Sequence, residues 1–193
     1  MQKTELKLTT GEIINIYDDV YSPNELTNIC LFFQNSYYKL GSVSVPFIES
    51  KNKTFFQSAY TNNDVQKSGV ESSLNYATIV RENFNGMHKE SSWVLCSTHL
   101  TTYEYHVDSY HTDSMNNSNY KTLLLYGNMR WEKSWGGETF YCNGKGEVEI
   151  AIQNKPNRII VADAHLEHKP APITLQSEVN YRFTFVSQYR KNV

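Results

Sequence analysis

WVLCSTHLTTYEY, residues 93–105, opens the series of short runs that decides the fold. After it come KTLLLY (121–126), ETFYC (138–142), EVEIAI (147–152), RIIVAD (158–163) and YRFTFVSQY (181–189), rich in β-branched and aromatic residues. Nothing between them is long and periodic enough to be the helix a parallel crossover needs, so the runs read as an antiparallel sandwich or barrel. CNGKGE, residues 142–147, suits an Asn/Gly hairpin joining two of them.

The first half reads differently. GEIINIYDDV (11–20) has strand-like recurrence of Ile and Tyr, and Ser22-Pro23 then opens a helix with Ser22 as N-cap and Glu25 as the capping-box acid. Leu26, Ile29, Cys30 and Phe33 follow at helical spacing. A second helix is expected from about Glu71, with Leu74, Ala77, Ile79, Val80 and Phe84 as its packed face and Gly86 as its stop. Residues 41–69 are mixed and polar around Phe47, Phe55 and Phe56, and the pattern assigns them no element.

No repeat, low-complexity tract or linker divides the 193 residues, which predicts one domain over 1–193: helical support to about residue 90, then a β core over about 91–190. A net charge of −2 provides no basic field for nucleic acid. The longest apolar runs, Ile29 to Phe33 and Leu123 to Tyr126, fall far short of the ~20 residues of a membrane span. MQKTELK lacks the apolar core of a signal peptide, and Cys30, Cys96 and Cys142 are scattered, which together predict a cytoplasmic protein with free thiols.

Chemistry concentrates in two histidine/acid pairs, His106-Val107-Asp108 and His111-Thr112-Asp113. In a strand, residues i and i+2 share a face, so either pair delivers an imidazole and a carboxylate to one cavity. HLEHKPAP (165–172) offers His165 or His168 as a third ligand. Two histidines and a carboxylate on one face of an octahedron leave three positions open, the arrangement of non-haem Fe(II) oxygenases, although the same donors also suit zinc. Arg182 begins a strand whose Phe183, Phe185 and Val186 imply cover on both faces, and Thr184 shares its face.

In order, the pairs, KTLLLYGNMRW, WGGETF, KPNRIIVADAHLEHKPAPIT and YRFTF resemble the iron(II)- and 2-oxoglutarate-dependent dioxygenases, in the prolyl 4-hydroxylase-like branch. The resemblance is strong over 103–189 and weaker over IYDDVYSPNEL. It implies a mainly β fold with flanking helices around a double-stranded β-helix (jelly-roll, cupin-like) core. Family spacing favours His111 and Asp113 as metal ligands, because Asp113 lies 13 residues before Tyr126 and Asp108 lies 18 before it; His106/Asp108 is the runner-up pair. KPAPIT favours His168 over His165 as the distal ligand. Arg182 and Thr184, with Tyr126 and Thr122, would hold the C5 carboxylate of 2-oxoglutarate. Gly136 and Gly137 read as a tight turn, with Trp131 and Trp135 near the pocket.

The implied activity is hydroxylation of a C–H bond with Fe(II), 2-oxoglutarate and O2, ascorbate serving as a candidate reductant. The substrate is unidentified: a prolyl residue of a peptide or protein is the first expectation, and a small molecule the second. Residues 42–69 and 103–110 are expected to shape substrate access. The competing reading is a non-catalytic cupin-like binding module.

Overall fold

The computed structural model describes residues 1–40, 55–101, 103–108 and 119–192. In chain order the elements are β1 (Gln2–Lys7), β2 (Ile13–Asp18), α1 (Pro23–Gln34), β3 (Lys39–Leu40), β4 (Phe56–Tyr60), α2 (Asn62–Ser68) and α3 (Leu74–Asn83). Then come β5 (Met87–Ser97), β6 (Tyr120–Tyr126), β7 (Thr139–Cys142), β8 (Val148–Ile152), β9 (Ile159–Asp163), β10 (His168–Pro170) and β11 (Arg182–Lys191).

Two antiparallel sheets result, a large one in the order β1-β2-β9-β6-β11-β5-β4-β3 and a small one in the order β10-β7-β8. Period-two alternation divides the large sheet's side chains between two cores. From β11, Phe183, Phe185 and Tyr189 enter the core shared with the helices, together with Leu123 and Leu125 of β6 and Ile159 and Val161 of β9. From the same strands Val186, Leu124, Tyr126, Ile160 and Ala162 face the other way, against Tyr141 and Ile152 of the small sheet. The sandwich between the two sheets is the expected jelly roll.

α1 forms as its sequence predicts. Ser22 accepts from the Glu25 backbone N–H while the Glu25 carboxylate accepts from the Ser22 N–H, and Leu26, Ile29, Cys30 and Phe33 are buried. Phe33 stacks on Phe185 with 5.9 Å between ring centroids, and burying such a side chain contributes about 1.5–3 kcal/mol. The close approach of α1 needs Gly127, where a Cβ would lie 2.5 Å from the Phe33 ring.

The structure departs from expectation in the first half and at one strand end. The second helix is capped by Ser73, after a short 3-10 turn at Val70–Ser72, and this start turns Tyr76 and Ile79 inward. Leu74 is therefore 87% exposed and Ala77 is also exposed, so neither belongs to the packed face. Within the stretch given no element lie β4 and α2, whose Thr61 and Asp64 form a second capping box. Polar-looking QKTELK forms β1. The run 93–105 is strand only to Ser97: Thr101 Oγ1 accepts from the Thr98 N–H, and a turn over 98–101 ends β5. The hairpin at 143–146 is as expected, with Asn143 Oδ1 accepting from two backbone N–H groups and Gly146 at φ 76°.

Candidate active site

β10 and the segment before Asp108 meet across the mouth of the sandwich. The His106 N–H donates to the His168 carbonyl at 3.0 Å and the His168 N–H to the His106 carbonyl at 2.9 Å. This exchange sets the two imidazoles 4.5 Å apart, centroid to centroid. Asp108, two residues on, places its carboxylate between them: Oδ1 lies 3.9 Å from His106 Nε2, and Oδ2 lies 3.7 Å from His168 Nε2. One donor atom from each of the three residues falls within 4.8 Å of the others.

Both rings are held alike. His106 Nδ1–H donates to the Glu104 carbonyl at 2.9 Å and His168 Nδ1–H to the Leu166 carbonyl at 3.0 Å. Fixing the proton on Nδ1 leaves each Nε2 lone pair facing Asp108, the tautomer a metal ligand requires. Burial, and secondarily the neighbouring His168, push His106 below the ordinary histidine range even though Asp108 pulls it up. A neutral imidazole is the ligating form.

His168 is thus the distal histidine brought to the cluster, while His165 turns away to face Glu12 at 3.5 Å. The pair beside His168 is His106 and Asp108, the runner-up on family spacing. His111 and Asp113 lie outside the described residues, as do 42–54, Tyr110 and Thr102.

Deeper in the same sandwich sits Arg182, 1% exposed. Its Nη1 donates to the carbonyls of Gly137 (2.8 Å) and Ala171 (3.2 Å), and its Nε is buried without a hydrogen-bond partner among the described residues. Among the described residues no carboxylate pairs with it; the ion-paired arginines are Arg130, Arg158 and Arg190. A buried guanidinium without a counterion is costly, so an anion that enters beside it is favoured.

Thr184 and Tyr126 are cross-strand partners beside Arg182. Thr184 Oγ1 is buried with no partner among the described residues, and the Tyr126 hydroxyl shares a hydrogen bond with Thr139 Oγ1 at 2.7 Å. Burial holds Tyr126 above the usual tyrosine range, so its hydroxyl stays protonated and can donate. Thr122 lies on the same face of β6, four residues nearer the start of that strand, and its Oγ1 also lacks a partner. The two threonine hydroxyls and the protonated Tyr126 hydroxyl fit a carboxylate, which is what a 2-oxoglutarate cosubstrate would bring.

Gly136 and Gly137 have φ of 70° and 76°, and a Cβ on Gly137 would lie 2.9 Å from Trp131 and 3.3 Å from Arg182 Cδ. They make the turn that lets the Gly137 carbonyl meet the guanidinium. Trp131 packs on that turn and donates from Nε1 to Gly136 O at 2.9 Å, with Trp135 edge-on to it.

Two residues escaped the sequence reading, and a third, Tyr103, entered it only as part of the substrate approach over 103–110. Tyr103 lies under the Arg182 guanidinium at 6.0 Å, bonds the Ser97 hydroxyl and stacks on Phe55. Asn154, two residues past the inward-facing Ile152, is 1% exposed with neither side-chain atom bonded. Gln188 reaches Asp108 from β11. Parity along β8 and β11 was the available signal for the last two.

A jelly roll that gathers two imidazoles and a carboxylate ahead of an unpaired buried arginine has the architecture of the facial-triad oxygenases. Residues 92–190 match the sequence profile of the 2OG-Fe(II) oxygenase superfamily, and the chain belongs to that family, whose members use Fe(II), 2-oxoglutarate and O2.

Solved structures agree on the fold. A prolyl hydroxylase from Trichoplax adhaerens, in complex with a hypoxia inducible factor oxygen degradation domain peptide, aligns with TM-score 0.70 and 14% identity over 95% of this chain and 84% of that one. A Pseudomonas putida prolyl-4-hydroxylase aligns with TM-score 0.64 and 12% identity over 93% of each chain. HygX from Streptomyces hygroscopicus, with nickel and 2-oxoglutarate bound, gives TM-score 0.62 and 9% identity over 93% of this chain and 83% of that one. A search of curated protein sequences returned no match. No helix among the described residues is long and apolar enough to cross a membrane.

Proposed function

We propose that this oxygenase hydroxylates a C–H bond of a peptidyl prolyl residue, with His106, Asp108 and His168 holding Fe(II) and with Arg182, Thr184 and Tyr126 holding 2-oxoglutarate. The observation that carries the reading is the buried Arg182, without a carboxylate partner among the described residues, on the interior that also presents the His106, Asp108 and His168 cluster. Held there, Fe(II) with 2-oxoglutarate would supply the oxidising chemistry for C–H hydroxylation by dioxygen, with succinate and carbon dioxide as coproducts.

The chain's own residues bind, orient and exclude. His106 and His168 would each offer Nε2 and Asp108 a carboxylate oxygen to the metal, a donor set that leaves room for a cosubstrate. Arg182 matches a carboxylate with its planar fork, while Thr184 and the protonated Tyr126 supply hydroxyl donors. Leu124, Trp93 and Val186 line the same interior and keep water away from the reacting atoms.

The prolyl hydroxylases among the structural neighbours support a peptidyl substrate; HygX, which also has a structure with hygromycin B, supports the small-molecule alternative. The three buried free thiols suit a reducing compartment and support a cytoplasmic location. We take 1–193 as one catalytic domain.

The test is anaerobic addition of Fe(II) and 2-oxoglutarate, followed by air and ascorbate, with prolyl peptides and a metabolite set. A visible charge-transfer band, succinate and a one-oxygen mass gain are expected, and none of the three would appear with a binding module. Asp108→Ala should abolish the band and Asp113→Ala should preserve it. The opposite pattern moves the ligand pair to His111 and Asp113.

A further inference from the structure

We infer that Gln188 is a positioning residue of the metal centre, its carboxamide fixing the backbone of Asp108 and hence the direction of that carboxylate. The inference rests on Asp108 being a ligand, as proposed above.

Gln188 lies on the inward face of β11, six residues beyond Arg182, and is 5% exposed. Its Nε2 donates to the Asp108 carbonyl at 2.6 Å, and its Oε1 accepts from the Ser91 hydroxyl at 3.4 Å. Ser91 is its cross-strand partner on β5, and the register shifts immediately afterwards, between Gln188 and Tyr189. Such bulges re-aim a side chain beside an active site.

On its other side, Asp108 donates its N–H to the Ala164 carbonyl at 2.8 Å. The two backbone groups of Asp108 are therefore gripped from separate places, the residue that follows β9 and a side chain of β11. Among the described residues Gln188 is the one side chain from outside residues 104–108 that bonds the backbone of 106–108. Both histidines have their rings oriented by carbonyls of their own segments, but no hydrogen bond orients the Asp108 carboxylate among the described residues.

A buried glutamine in a strand core is otherwise hard to explain. An apolar side chain would pack there without needing partners, whereas the carboxamide must be satisfied at both ends. It is satisfied by tying the strand that bears Arg182 to the segment that bears the ligands. Groups that orient ligands typically contribute 10- to 100-fold in metal affinity.

Co(II) titration of the full chain, followed by its d–d absorption, tests this. Gln188→Met keeps the length and removes both hydrogen bonds; it should weaken Co(II) binding about tenfold or more. The metal-free melting temperature should stay near wild type. Under turnover the apparent KM for Fe(II) should rise while KM for 2-oxoglutarate at saturating Fe(II) holds. Ser91→Ala, which leaves the Asp108 bond and frees the other end of the carboxamide, should weaken Co(II) in the same direction by less. Equal Co(II) affinity in Gln188→Met and wild type overturns the inference. So does a loss that only tracks unfolding of Gln188→Met while Ser91→Ala binds like wild type. Wild type failing to bind Co(II) removes the ligand assignment itself, a failure distinct from these.

Discussion

Replacing Arg182 by methionine separates what the arginine does for the fold from what it does for the cosubstrate. The guanidinium donates to two carbonyls, at 2.8 and 3.2 Å, and its Nε has no hydrogen-bond partner among the described residues. Losing the two neutral-acceptor bonds costs about 1 kcal/mol each. Removing a buried cation without a counterion returns a similar amount or more. The metal-free variant should therefore melt within a few degrees of wild type. Binding is a different matter: two charge-assisted hydrogen bonds to a carboxylate contribute about 1.5–3 kcal/mol each. Their loss should raise the 2-oxoglutarate Kd by roughly 10²–10⁴-fold. Thermal denaturation with and without 2-oxoglutarate, in the presence of Co(II), reads both quantities. Wild type should gain stability with cosubstrate, and Arg182→Met should gain nothing at the same concentration. A variant that keeps the full shift would refute the placement of the cosubstrate at Arg182, and a metal-free protein that no longer folds would refute the claim that its charge is a burden.

Three further outcomes follow from described contacts. Thr184→Val removes a buried hydroxyl with no partner, so the cosubstrate-free protein should be as stable as wild type or slightly more so, while KM for 2-oxoglutarate rises several-fold. Gly127→Ala drives a methyl to 2.5 Å from the buried Phe33 ring and should lower stability by about 1–3 kcal/mol by chemical denaturation, with Phe33→Leu in the same chain recovering part of it. Burial raises the Asp18 carboxyl, but the paired Arg158 and Lys155 outweigh it and hold it below the ordinary range. A depressed folded-state pKa means this stabilisation is complete above the unfolded-state value near 4 and is lost as pH falls through the folded-state value. Asp18→Asn should cost about 1–3 kcal/mol at neutral pH and flatten the acid limb of a stability-against-pH curve.

The second half of the sandwich was legible because each strand there carries both signals at once, turn residues at its ends and alternation within. β11 is the clearest case, with Phe183 and Phe185 on one face and Arg182 and Thr184 on the other. That alternation put Arg182 and Thr184 on one buried face, and the family resemblance made them candidates for the cosubstrate. The first half was less legible for local reasons. β1 is an edge strand with mostly exposed side chains, so QKTELK shows little hydrophobic contrast, and α2 is seven residues long, too short for a periodic stripe. Its capping box, Thr61 with Asp64, was nevertheless present to be read. Choosing between the two histidine/acid pairs depended on counting residues to Tyr126, and such a count measures loop length rather than geometry. The exchange of backbone hydrogen bonds between His106 and His168, which fixes the observed cluster, joins positions 62 residues apart and leaves no local trace.

β11 carries Arg182 at one end and Gln188 six residues on, about 20 Å of a single rod at the centre of the large sheet. Were that strand to shift by one residue against its neighbours, the arginine, the threonine and the glutamine would all swing into the oily layer beneath the helices at the same moment that Phe183 and Phe185 left it. Misalignment of this strand cannot spare one function and spoil another. The two roles proposed for its ends would be gained or lost together.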